Sequence, residues 1–212
     1  MTKPLEAIAA LPLENRTPLQ WGRTALADPI ALLIDHAFLE KKAAINAMEL
    51  LTRWPGDWTP GWVETVTSVA RDEASHLAQT VRILGRRGGR LERSHKSHYA
   101  TALRALARRG GIQELHDRLL ISALIELRSC ERFAILAEVA GDDEHKEKVG
   151  DLAAFYKALF SSELGHYKVF LKLAAKCAPP NVAEARWQYM LNAEARIISQ
   201  QAPGSGIHSG VK

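Results

Sequence analysis

Two Glu-x-x-His pairs constrain this chain most tightly: Glu73 with His76, and Glu163 with His166. Each lies in a long stretch unbroken by proline. On a helix, positions i and i+3 share one face, so both side chains of a pair can reach one ion. With 16 Glu and 8 His in 212 residues, about 0.6 such pairs arise by chance, so the spacing alone is weak. Its context is stronger. Both pairs fall in mid-helix, one in each half of the chain, and each is preceded by another Glu-bearing helix at a similar distance. A third pair, Glu92 with His95, falls in a basic loop and reads as an accident.

The helices follow from the breakers. Residues 1–24 read as an irregular N-terminal arm. Asp28-Pro29 opens a first long helix, with Asp as cap and Pro in the first turn, running to about Arg53. Trp54-Pro55-Gly56-Asp57 ends it. A second helix is expected from Pro60 to Arg86, stopped by Gly88-Gly89. A basic loop spans Arg86 to His98, followed by a short helix from Tyr99 to Arg109. The third long helix runs from Ile112 to Val139, the fourth from Asp143 to Cys177, and a last one from Val182 to Gln200. The Gly- and Ser-rich residues 202–212 read as a flexible tail. Hydrophobic residues make up 47% and aromatics 7%, which favours a helical core over a sheet. The expected fold is all-α: a ferritin-like four-helix bundle with a long crossover connection and one or two extra helices, occupying residues 25–201.

Bundles that hold two iron ions use one Glu from each of two helices and Glu-x-x-His from each of the other two. On the first helix Glu40 and Glu49 compete. Glu40 has Ala37, Ala43 and Ala44 around it, small enough for helices to approach a metal. On the third, Glu126 sits in a collar of Ser122, Ala123, Ser129 and Cys130. Glu131 is placed instead to pair with Arg128. The expected ligands are therefore Glu40, Glu73, His76, Glu126, Glu163 and His166. Four carboxylates and two imidazoles suit iron or manganese, and oxygen chemistry before hydrolysis.

Near these turns, Asp35 or Asp72 either orients a ligand histidine or belongs to a solvated face. His36 lies beside them. Cys130 and Tyr167, each one turn from a ligand, either line an oxygen pocket or fill core. His116 and His145 read as surface residues. Nine cations lie between Arg82 and Arg109, among them Arg86, Arg87, Arg90, Arg93 and Lys96, with Glu92 breaking the run. Such a segment is either a solvated face or a phosphate-binding surface.

Other classes are disfavoured. Cys130 and Cys177 form no Cys-x-x-Cys pair, and two cysteines cannot build a four-cysteine iron site. No dinucleotide-binding glycine motif is visible. The N-terminus lacks a basic start and apolar run, and no window is apolar enough to span a bilayer, so a cytoplasmic protein without a membrane partner is expected.

Taken together, Asp35-His36-Ala37-Phe38-Leu39-Glu40, Arg71-Asp72-Glu73-Ala74-Ser75-His76, Glu126-Leu127-Arg128-Ser129-Cys130-Glu131-Arg132-Phe133 and Glu163-Leu164-Gly165-His166-Tyr167 resemble the tRNA 2-methylthio-N6-isopentenyladenosine hydroxylases. The likeness covers about residues 25–200. The Arg-Ser-Cys-Glu-Arg-Phe run is its most specific piece. Leu127 stands where the family form carries Ala, a conservative change. The resemblance implies a di-iron monooxygenase that hydroxylates the isopentenyl side chain of a modified adenosine beside the tRNA anticodon. The same six residues would be its iron ligands. Its partners would be tRNA, molecular oxygen and a separate reductase or ferredoxin. The competing reading is a ferritin-like protein that handles iron or scavenges peroxide, with no organic substrate.

Overall fold

The computed structural model describes residues 4–56 and 58–211. Asp57, expected to help end the first long helix, lies outside them, as do residues 1–3 of the arm. The described elements are α1 (Pro4–Ala9), α2 (Leu19–Ala27), α3 (Pro29–Leu50), α4 (Trp62–Arg86), α5 (His98–Arg104), α6 (Gly111–Gly141), α7 (Lys146–Val149), α8 (Asp151–Ala174) and α9 (Pro180–Ser199). The chain divides into two units, one of residues 30–96 and one of residues 1–29 with 97–212.

The first unit is an antiparallel pair, α3 and α4. Trp62, fully buried, donates its indole N–H to the carbonyl of Leu50 at 2.9 Å, where the hairpin turns. Helix α4 starts at Trp62 rather than at Pro60. Gly61 has φ +74°, a left-handed backbone that suits glycine, and the helix begins after it. At the far end Gly89 passes so close to Leu84 and Ile30 that a Cβ there would lie 2.2 Å from Leu84. The basic connection therefore leaves α4 against the start of α3.

The second unit is built on α6. Twenty-two of its 31 residues are buried, from Leu115 to Ala140, as expected of a helix covered on nearly all sides. Helix α8 runs antiparallel to it. Phe133 and Tyr156 stack at 5.4 Å, and the Cys130 thiol faces the Phe160 carbonyl at 3.9 Å. The fourth long helix does not begin at Asp143. A short turn, α7, comes first, and Val149 is buried there. Gly150 joins α7 to α8 where any Cβ would meet the Lys146 carbonyl at 2.5 Å. Helix α5 ends at Arg104 instead of Arg109, because Arg108 turns both its backbone N–H and its guanidinium to Asp117, each at 2.8 Å.

Two expectations fail here. The N-terminal arm is not irregular: it forms α1 and α2, whose Ile8, Trp21, Ala25 and Leu26 are buried. Gly22 lets α2 approach α6, since a Cβ would meet Ile135 at 2.7 Å. Nor do the described residues of the tail read as flexible. Ile207 is fully buried, His208 stacks on Tyr99 at 4.4 Å, and Ser209 accepts the Trp21 indole N–H at 3.0 Å. Gly210 closes the loop by donating to the Ala202 carbonyl at 2.8 Å. Small polar composition suggested a linker, but Ile207 and His208 supply anchors. No helix among the described residues is long and apolar enough to cross a membrane.

Candidate metal centre

Helices α3 and α4 bring together Glu40, Glu73 and His76, 4%, 1% and 7% exposed. Their potential ligand atoms lie within 4.8 Å of one another. His76 Nδ1 is 3.6 Å from a Glu40 oxygen and 3.9 Å from a Glu73 oxygen. The i, i+3 spacing turns Glu73 and His76 to one face of α4, and the antiparallel pairing sets them opposite Glu40. Glu49, the competing residue on α3, is exposed. His36, one turn before Glu40 and equally buried, places Nε2 2.6 Å from Glu40 Oε1. Burial pushes the Glu40 carboxyl up, but its hydrogen bonds with His36 and His76 outweigh that and hold it well below the usual carboxylate range. The His36 contact went unassigned in the sequence, although His36 and Glu40 are spaced four apart on one helix.

Helices α6 and α8 bring together a second triad, Glu126, Glu163 and His166, at 6%, 2% and 5% exposure. Their potential ligand atoms also lie within 4.8 Å of one another, and His166 Nδ1 is 3.0 Å from a Glu163 oxygen. Cys130 is fully buried one turn beyond Glu126. Burial first, then the charges of Glu163 and Glu126, push its thiol far up, so it stays protonated beside them. Tyr167 is buried one turn beyond Glu163, its ring 6.2 Å from Trp187, and burial raises its hydroxyl too.

Glu131 has other company. It pairs with Arg128 and accepts from Thr17, through the backbone N–H at 3.1 Å and the hydroxyl at 2.5 Å. Arg128 grips Glu194 with two 2.8 Å bonds, and the Tyr99 hydroxyl donates to Glu194 at 2.8 Å. The Arg128–Glu131 pair expected from the sequence is present.

Among the remaining expected residues, Asp35 bonds His95 at 2.6 Å, and Asp72 lies at the surface against Arg71 at 3.3 Å. Arg86, Arg90, Arg93 and Lys96 are exposed, while Arg87 is half-buried. Arg108, counted in the basic run, is taken up by Asp117. His116 is 1% exposed rather than on the surface, and His145 is half-buried.

Each triad offers two carboxylates and one imidazole, hard and intermediate donors that suit iron or manganese. Buried carboxylates at this density require compensating positive charge, which paired side chains or a metal can supply. The donor set fits a metal centre.

The family model described as "tRNA-(MS[2]IO[6]A)-hydroxylase (MiaE)" matches residues 4–209. The tRNA 2-(methylsulfanyl)-N(6)-isopentenyladenosine(37) hydroxylase of Pseudomonas putida is 34% identical over 195 residues, 92% of this chain and 90% of that one. The protein of that name from Salmonella typhimurium is 38% identical over 97 residues, 46% of this chain and 33% of its own. Among solved structures, "Protein 43 with aldehyde deformylating oxygenase activity from Synechococcus" superposes with a TM-score of 0.80. It is 31% identical, and the match covers 93% of this chain and 96% of that one. The fold is ferritin-like and all-helical.

Proposed function

Because the chain belongs to the MiaE family of tRNA hydroxylases, we propose that it hydroxylates the isopentenyl side chain of 2-methylthio-N6-isopentenyladenosine beside the anticodon of tRNA. Two iron ions would be held by Glu40, Glu73 and His76 together with Glu126, Glu163 and His166. The observation that carries this reading is the pair of matching triads, each a buried Glu joined to a Glu-x-x-His of the next long helix. When bound, such an iron pair supplies the activation of molecular oxygen that an unactivated carbon needs.

The chain's own residues have separable tasks. His36 keeps one Glu40 oxygen engaged, which limits the ways that carboxylate can turn. Cys130 and Tyr167 stay neutral and line the Glu126–Glu163 side without adding charge. Arg86, Arg87, Arg90, Arg93 and Lys96 would hold phosphates of the anticodon stem and loop. The modified adenosine must leave its stack for its side chain to reach buried carboxylates, as in other enzymes that act on bases. One oxygen atom enters the substrate and the other leaves as water, so each turnover takes two electrons. A separate reductase or ferredoxin would deliver them, in the cytoplasm where tRNA is modified.

The test is nucleoside analysis of tRNA from cells lacking the protein. The prenylated, methylthiolated adenosine should accumulate without its hydroxyl, and the wild-type gene should restore the hydroxyl where a Glu126→Ala gene does not. Unchanged hydroxylation in the deleted cells, with peroxide sensitivity instead, would favour the iron-handling reading.

A further inference from the structure

The connection that leaves α4 carries Arg90, Arg93 and Lys96, all exposed, on backbone that is neither helix nor strand between Arg87 and Ser97. Gly88 at φ +76° and Gly89 start it. A cationic loop of this kind repels itself and samples many shapes, and ordering it on binding would cost affinity. His95 counters that. Its ring lies flat on Phe38, with centroids 5.0 Å apart and planes 9° from parallel. Its Nε2 donates to Asp35 Oδ1 at 2.6 Å. Lys42 donates its ammonium to His95 Nδ1 at 2.8 Å and to the His95 carbonyl at 3.3 Å.

Asp35, Phe38 and Lys42 follow one another at three- and four-residue steps along α3, so one helix face presents an acceptor, an apolar plate and a donor in order. The two ring nitrogens have opposite roles. A carboxylate must receive a proton from Nε2, and an ammonium must give one to Nδ1. The site therefore fits a ring with its hydrogen on Nε2 and Nδ1 as acceptor. It also explains the Glu92-x-x-His95 spacing without a metal. Glu92 is exposed, and both nitrogens of His95 are engaged by α3.

We propose that His95 is a positioning residue that fixes the basic connection to α3, so that Arg90, Arg93 and Lys96 are presented to RNA phosphates in a preformed arrangement. This rests on the tRNA reading above, and the test separates the two.

Iron-loaded full-length protein is compared with His95→Ala, His95→Gln, the Arg90→Glu/Arg93→Glu double variant, and that double variant combined with His95→Ala. Three quantities are read: tRNA Kd across a range of salt, iron content, and amide hydrogen exchange in residues 87–96. His95→Ala should speed exchange in that segment, weaken tRNA binding roughly tenfold and flatten its salt dependence, with iron content unchanged. His95→Gln, whose amide can still donate to Asp35, should recover part of the affinity. In the charge-reversed background His95→Ala should add no further loss. A separate Asp35→Asn variant, lacking only the charge that holds Nε2–H, should reproduce part of the His95→Ala effect if the latter folds poorly.

Faster exchange with unchanged affinity and salt slope would overturn the proposal. So would a further loss from His95→Ala in the charge-reversed background. If the charge reversal alone leaves tRNA binding intact, the RNA-binding reading of this segment falls and the proposal falls with it. Loss on charge reversal but none in His95→Ala would overturn the clamp alone.

Discussion

Glu126 and Glu131 sit on one helix, both buried, and differ in what surrounds them. Glu126 meets Glu163 and His166, while Glu131 meets Arg128 and Thr17. Glu126→Ala should therefore lose most bound iron and keep the fold. Glu131→Ala should retain iron in the folded protein but lose about 3 kcal/mol of stability, because it removes one of the two carboxylates facing buried Arg128. Metal analysis alongside denaturant unfolding checks both, and the reverse pattern would contradict the ligand assignment. Glu40 gives a pH signature. Its carboxyl is held below its ordinary value of 4.5, so its contribution is complete above that pH and fades as pH falls below it. Metal-free protein should lose stability on acidification through that range, and Glu40→Gln should blunt the loss. Equal pH dependence in both proteins would count against the His36–Glu40–His76 arrangement. At this scale the local pairs were legible: the small collar marked Glu126, and the three-residue spacing marked Arg128 with Glu131. Thr17 and Glu194 were not, because they come from 111 and 66 positions away from Arg128.

Among the elements, the long helices could be read because Pro, Gly and the apolar period act locally. Pro29 opens α3, and α4 ends at Arg86, just before the Gly88-Gly89 pair. The ends set by distant partners could not be read. Helix α5 stops where Asp117 of α6 captures Arg108, and α8 is preceded by the short turn α7, whose Val149 is buried. The terminal segments were misread for one reason: short stretches with few apolar residues resemble linkers until a surface for those residues is known. Both segments nonetheless bury their large apolar side chains, Trp21 and Ile207. Ile207→Ala should cost about 2–4 kcal/mol, as for other fully buried large-to-small changes, and should make residues 202–211 sensitive to protease. Wild-type stability in that variant, with early cleavage already present in the parent, would show the tail to be loose in solution.

For the whole molecule, a net charge of +4 is modest, and the placement of cations between Arg86 and Lys96 matters more. If those five side chains contact phosphates, the logarithm of tRNA affinity should fall with the logarithm of salt at a slope of about 3.5. A slope near zero would return the segment to a solvated face. The central claim is that this chain inserts oxygen into a tRNA side chain. Its most direct measurement is a single incubation of reduced, iron-loaded protein with prenylated, methylthiolated tRNA under isotopically labelled molecular oxygen, followed by mass analysis of the released nucleoside. The account predicts one added oxygen atom, about sixteen mass units before the isotope increment, carrying label from the gas. Label arriving from water, or the same product from iron-free protein, would contradict it.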